Sequence, residues 1–114
     1  MAKLTKEINA DFYSILNTIT QGVQDSSMSA TLEDSCDFNS GVAKCCVRVF
    51  ERYSYMGKNR VSMNVTLFQN GTGPVKVCAI TSGGSQAVFF KINTIGEGTF
   101  LSVLEDILYR EYGV

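Results

Sequence analysis

The fold is decided by Val42-Ala-Lys-Cys-Cys-Val-Arg-Val-Phe-Glu-Arg-Tyr-Ser-Tyr55 and its return, Arg60-Val-Ser-Met-Asn-Val-Thr-Leu-Phe68. In the return run Val61, Met63, Val65 and Leu67 alternate with Arg60, Ser62, Asn64 and Thr66. A period of two sends the apolar set to one face of a strand and the polar set to the other. The intervening Met-Gly-Lys-Asn is a turn, so the two runs read as a long antiparallel hairpin at the centre of a small sheet. In the outgoing run the odd positions Ala43, Cys45, Val47 and Val49 read as the core side. The even positions Lys44, Cys46, Arg48, Phe50 and Arg52 read as the open side.

Working outward, residues from about Asn9 to Val23 carry Phe12, Ile15, Leu16, Ile19 and Val23 at helical spacing, one stripe of an amphipathic helix. Asn9 or Asp11 supplies its cap. The pattern then changes to period two, with Met28, Ala30 and Leu32 alternating with Ser27, Ser29, Thr31 and Glu33. Asp37-Phe-Asn-Ser-Gly41 is rich in turn formers and reads as the hairpin loop to the next strand. Beyond the central hairpin, Asn70-Gly-Thr-Gly73 signals a tight turn, and Pro74 opens a fourth strand. There either Val77 and Ala79 or Cys78 and Ile80 face the core, depending on whether the turn holds a bulge. Gln86–Ile92 fits a short fifth strand or an irregular segment. Thr94-Ile-Gly-Glu97 has the spacing of a capping box, which predicts a terminal helix from about Glu97 to Tyr112 with Phe100, Leu101, Leu104, Ile107 and Leu108 as its stripe. The expectation is one α+β domain over residues 1–114: a two-layer sandwich whose antiparallel meander of four to five strands carries an N-terminal and a C-terminal helix on one face.

At 114 residues the chain has room for one modest core. Lys and Arg total 10 against 11 Asp and Glu, so no global field draws the chain to nucleic acid or anionic lipid. The N-terminus shows no signal-peptide pattern and no apolar run reaches the length of a membrane span, which predicts a cytoplasmic protein with no membrane partner. The four cysteines, Cys36, Cys45, Cys46 and Cys78, are then expected as free thiols, with Cys45 and Cys78 or its neighbours as small core residues.

Catalytic chemistry finds little to use. There is no histidine, hence no ordinary base near neutral pH and no usual partner for a nucleophilic Cys or Ser. Adjacent Cys45 and Cys46 point to opposite faces of a strand, and the spaced Cys-x-x-Cys of zinc sites is absent. No cofactor, metal or catalytic set is expected. Ser82-Gly83-Gly84-Ser85 is a candidate anion loop, but it lacks both the P-loop and the dinucleotide-binding spacing, and its plainer reading is a turn off the sheet edge.

The open side of the hairpin is the more informative surface. With odd positions paired to odd, Arg48, Phe50 and Arg52 lie beside Asn64, Thr66 and Phe68, with Arg60 near the turn. That set is a candidate binding face. Basic and aromatic side chains on a sheet backed by helices also suit base stacking, yet the neutral charge and the absence of an RNP-like motif weigh against nucleic acid. A cavity between helices and sheet, lined by Met28, Met63, Phe100 and Leu104, would suit a small apolar ligand; simple core packing is the commoner outcome in a chain this short.

The run Ile80-Thr-Ser-Gly-Gly-Ser-Gln-Ala-Val-Phe-Phe-Lys-Ile-Asn-Thr-Ile-Gly96, with Arg48-Val-Phe-Glu-Arg-Tyr53 upstream, resembles a family of small uncharacterised bacterial proteins classed as a domain of unknown function. The resemblance implies a bacterial, single-domain, cytoplasmic protein and assigns no activity. The expected role is non-enzymatic: binding a protein partner, or a second copy as a homodimer, through the sheet. A small-ligand cavity ranks second and nucleic-acid binding on the basic-aromatic face third.

Overall fold

A computed structural model describes residues 1–26, 30–54, 59–83 and 90–114, with the side chains of residues 54, 59 and 90–99 set aside. Seven elements follow one another: β1 (Ala2–Ile8), α1 (Phe12–Gln24), β2 (Thr31–Ser40), β3 (Ala43–Ser54), β4 (Asn59–Asn70), β5 (Val75–Gly83) and α2 (Phe90–Tyr112). The strands form one antiparallel sheet in the order β1-β5-β4-β3-β2. Strands β2 to β5 make the expected meander. The chain is an α+β protein with both helices against the sheet.

Among the described residues, the fifth strand is at the N-terminus. Ala2–Ile8 pairs with β5 from Ala2 opposite Thr81 to Ile8 opposite Val75. Its inward positions are Ala2, Leu4, Lys6 and Ile8, and the lysine breaks the apolar alternation that would have marked a strand. Thr81, fully buried, holds the strand's start: its Oγ1 accepts from the Ala2 amide at 3.3 Å and donates to the Ala2 carbonyl at 3.4 Å. Residues Phe90–Ile92 belong to the first turn of α2, while residues 84–89 lie outside the described set. Thr94 is therefore inside the helix rather than at its cap, which corrects the expected start near Glu97.

α1 begins at Phe12 because Asp11 caps it. Asp11 keeps an extended backbone and accepts the Ser14 amide at 3.0 Å, occupying one of the donors that a helix start leaves free. The buried residues of α1 are the predicted stripe, Phe12, Ile15, Leu16, Ile19 and Val23. α2 lies over β1, β5 and β4 and packs on α1. The helices are in close contact at Gly22, where an added Cβ would come 2.7 Å from Ile107 Cδ1. Tyr112 Oη donates to Thr18 Oγ1 at 3.2 Å beside that contact.

Between the layers lie Phe50, Val61, Met63, Val65, Leu67, Val75, Val77 and Ala79 from the sheet, with Phe100, Leu104, Ile107 and Leu108 from α2. Each large side chain taken from water contributes roughly 1.5–3 kcal/mol, which makes this interface the main cohesive force of the fold. The open register of the fourth strand is thereby decided: Val75, Val77, Ala79 and Thr81 face inward, and Cys78 and Ile80 face out. Met63, Phe100 and Leu104, expected as lining for a ligand cavity, are fully buried core residues. Met28 lies outside the described residues.

The β2–β3 turn is shorter than expected. Ser40 pairs with Ala43, so Gly41 and Val42 alone make the loop, and Asp37–Ser40 continue the strand. A two-residue hairpin needs positive φ, which Gly41 supplies at 59°. The Val42 carbonyl then accepts the Gly71 amide at 3.1 Å, tying this turn to the β4–β5 turn at the same end of the sheet.

Candidate functional site

In an antiparallel pair, directly opposite residues share a face, so the register sorts every side chain. Cys46 is opposite Leu67, Arg48 opposite Val65, Phe50 opposite Met63 and Arg52 opposite Val61. The even positions of β3 therefore face the helices, the reverse of the sequence expectation. Phe50 is fully buried and Cys46 nearly so. The expected binding face is split: Arg48, Phe50 and Arg52 are on the helix side, and Arg60, Asn64, Thr66 and Phe68 on the open side. The basic-aromatic cluster does not form.

Each displaced arginine has a local role. Arg48 Nη1 meets Asp37 Oδ1 at 2.6 Å, and its Nη2 reaches Oδ2 at 3.4 Å. The guanidinium holds the Asp37 carboxyl below the usual carboxylate range. Burial, reinforced by Asp37, pushes the neighbouring Cys46 thiol up to about 11, so it stays protonated at neutral pH. Arg52 lies over the Phe100 ring at 5.8 Å, its Nη1 buried with no hydrogen-bond partner among the described residues. Lys44, also on the helix side, sits 5.4 Å from the centroids of both Phe12 and Tyr13. These basic groups are spent on packing and pairing.

The open face is ordered in rows across the sheet. The first row reads Phe38, Cys45, Phe68, Lys76, Glu7; the second Cys36, Val47, Thr66, Cys78, Thr5; the third Asp34, Val49, Asn64, Ile80, Lys3. Beyond them Tyr53 is opposite Arg60, whose Nη1 binds Glu51 Oε1 at 2.6 Å and whose guanidinium stacks 5.5 Å from the Tyr53 centroid. Neither α1 nor α2 covers these rows. Phe38 is 64% exposed, Ile80 39% and Phe68 38%. Val47, Val49, Cys45 and Cys78 are half-buried only by their neighbours on the face. Between β1, β5 and β4 the face dips into a concavity of about 370 Å³ lined by Thr5, Glu7, Thr66, Phe68, Lys76 and Cys78.

Sequence reasoning missed Phe38, Val47, Val49 and Ile80 as surface residues. The signal was present in β3, which carries apolar residues on both alternations, Val47 and Val49 against Cys46 and Phe50. A strand apolar on both sides has something to cover on both sides. All four thiols are free; Cys36, Cys45 and Cys78 share the open face, which corrects the placement of Cys45 in the core, while beside Cys78 it is the neighbours Val77 and Ala79 that are buried. Among the described residues no group of three or more Cys, Asp and Glu gathers to hold a metal, and no helix is long and apolar enough to cross a membrane. Of the candidate anion loop, Ser82 and Gly83 are strand residues at the end of β5, and Gly84 and Ser85 lie outside the described residues. The Ser82 hydroxyl lies 3.3 Å from that of Ser62 across the β4–β5 pair.

Residues 1–111 match the family model described as a family of unknown function, DUF6054. The chain belongs to that family. The match spans nearly the whole chain, from the start of β1 to the last turn of α2. DUF6054 thus covers both the helix-backed core and the uncovered face. No curated protein and no solved structure matches the chain.

Proposed function

We propose that this chain is a non-enzymatic, cytoplasmic association domain whose open sheet face is covered by another polypeptide, in the first instance a second copy of itself. One observation carries the reading. The three central strands present Cys45, Val47, Val49, Phe68, Cys78 and Ile80 in adjoining positions, flanked by Phe38, with no layer of the described residues over them. Contiguous apolar surface of this kind on a single chain marks an interaction site, whereas scattered exposed apolar residues do not. A catalytic role has no comparable support, because Arg48, Arg52 and the acidic partner Asp37 are engaged in structure on the other face.

The test is the assembled mass of the chain in an extract of the cells that make it. A chain of 12.5 kDa is expected to run in a larger particle. Val49→Lys and Ile80→Lys, both on the uncovered side and away from the core, are expected to return it to the mass of one chain. A wild-type chain that runs at 12.5 kDa, or a particle indifferent to both lysines, overturns the reading.

A further inference from the structure

We propose that two copies of this chain pack open face to open face about a two-fold axis along β4, each lodging Phe38 in the other's concavity and pairing its Asp34 with the other's Lys3. This rests on the association reading above and names its partner and geometry.

β4 is the middle strand of five, with two strands on either side. A two-fold axis parallel to β4 and lying between two facing sheets turns each row onto the same row of the other copy, reversed. β2 of one copy then lies over β1 of the other, and β3 over β5. In the third row this brings Asp34 to Lys3, Val49 to Ile80 and Asn64 to its own copy: opposite charge on opposite charge, apolar on apolar, amide on amide. In the second row Val47 meets Cys78 and Thr66 meets itself. In the first row Phe68 meets itself on the axis. Phe38, two strands out on β2, arrives over the β1–β5 side at the height of Glu7 and Lys76, where the concavity lies. An isologous contact requires knob and hole at equal distances on either side of the axis. The register supplies both.

Magnitudes agree with that arrangement. A benzene ring fits a cavity on the order of 150 Å³, so about 370 Å³ admits a phenyl side chain with space for the rim to close. Strands spaced about 4.8 Å, with seven paired residues on β1 rising about 3.4 Å each, make a footprint on the order of 24 Å by 24 Å. With side-chain relief this approaches the roughly 800 Å² per partner of a standard interface. Aligned sheets cross at about 30°, which displaces an edge row by about 5 Å. A lysine stem spans that offset, so Lys3 still reaches Asp34. The opposite choice of axis, perpendicular to the strands, would lay β1 on β1 and β2 on β2, and so would not carry Phe38 to the concavity between β1, β5 and β4.

The experiment is analytical ultracentrifugation of the purified chain over a concentration series. Wild type is expected to dimerise. Lys3→Glu and Asp34→Lys each set like charges opposite one another twice, and each is expected to weaken the dimer roughly tenfold or more. An equimolar mixture of the two single variants is expected to recover a 1:1 dimer. In that mixed pair the glutamate introduced at position 3 of one chain faces the lysine introduced at position 34 of the other, while the second pair keeps its natural charges. Phe38→Ala is expected to weaken the dimer by a similar factor. Circular dichroism checks that these exposed substitutions leave the fold intact. A purified wild type that stays monomeric overturns the second copy as partner; if the chain is still held in a larger particle in extract, the association reading survives. A dimer that ignores Phe38→Ala, or single variants whose mixture does not recover, overturns this arrangement.

Discussion

Arg48 and Asp37 meet across the β2–β3 pair on the helix side of the sheet, 2.6 Å apart and in a two-pronged contact. The arginine is mostly enclosed while the aspartate is half open to solvent, so the pair is a rim contact, not a core one. Its worth is correspondingly small, about 1 kcal/mol or less. Because Asp37 titrates lower in the fold than in the unfolded chain, this contribution is present above the unfolded carboxylate range. It is lost as pH falls through the lower folded value. Asp37→Asn is expected to lower stability slightly at neutral pH and to flatten the loss of stability below about pH 4. Urea unfolding at a series of acidic pH values checks both.

Cys46 has the opposite sign. Burial raises its thiol from 9.0 to about 11, so its contribution is complete below pH 9.0 and is lost as pH rises through about 11. Stability is expected to fall across that window, and Cys46→Ala to fall less steeply. Thiol labelling at neutral pH gives a second reading. In a chain dilute enough to be single, Cys36, exposed on edge strand β2, is expected to react quickly, and Cys46 only as fast as the chain opens.

Phe50 and Phe68 test the face assignment directly. Phe50 is fully enclosed between sheet and helices, and truncating such a residue costs about 3–5 kcal/mol. Phe68 is on the open side, and Phe68→Ala is expected to cost a single folded chain less than about 1 kcal/mol. Denaturant midpoints at low protein concentration decide the matter. Similar small costs for both would restore the alternation first expected for β3, which put both rings on the open side.

Gly83 closes β5 with φ at 102°, and a Cβ there would stand 2.5 Å from the Arg60 carbonyl oxygen, a backbone atom. Neither obstacle yields to a rotamer change. Gly83→Ala is expected to destabilise the fold by roughly 1–3 kcal/mol, read as a lowered thermal midpoint.

Much of this protein follows from local pattern. The period-two alternation of Val61, Met63, Val65 and Leu67 names the inner face of β4 without help from any neighbour, because the positions between them, Ser62, Asn64 and Thr66, are polar. The stripe of α1 is equally plain, since five apolar residues at helical spacing admit one buried side. The tight turn at Gly71 and the choice of helices on one face of a meander follow from the same local chemistry.

Three features were decided only by tertiary contacts. β3 is apolar on both alternations, so its facing could be settled only by pairing with β4, which sets Phe50 opposite Met63 and not Asn64. β1 has a lysine where a core residue would advertise a strand, and exists through pairing with β5, from Ala2 opposite Thr81 to Ile8 opposite Val75, far along the chain. α2 extends through the capping signal at Thr94 to Phe90, since a local cap yields when the backbone on both sides of it is helical. The candidate site depended on the first of these. Its residues Asn64, Thr66 and Phe68 were legible as outward-facing, while their true companions Phe38, Val47, Val49 and Ile80 became visible only once register carried each side chain to its side of the sheet.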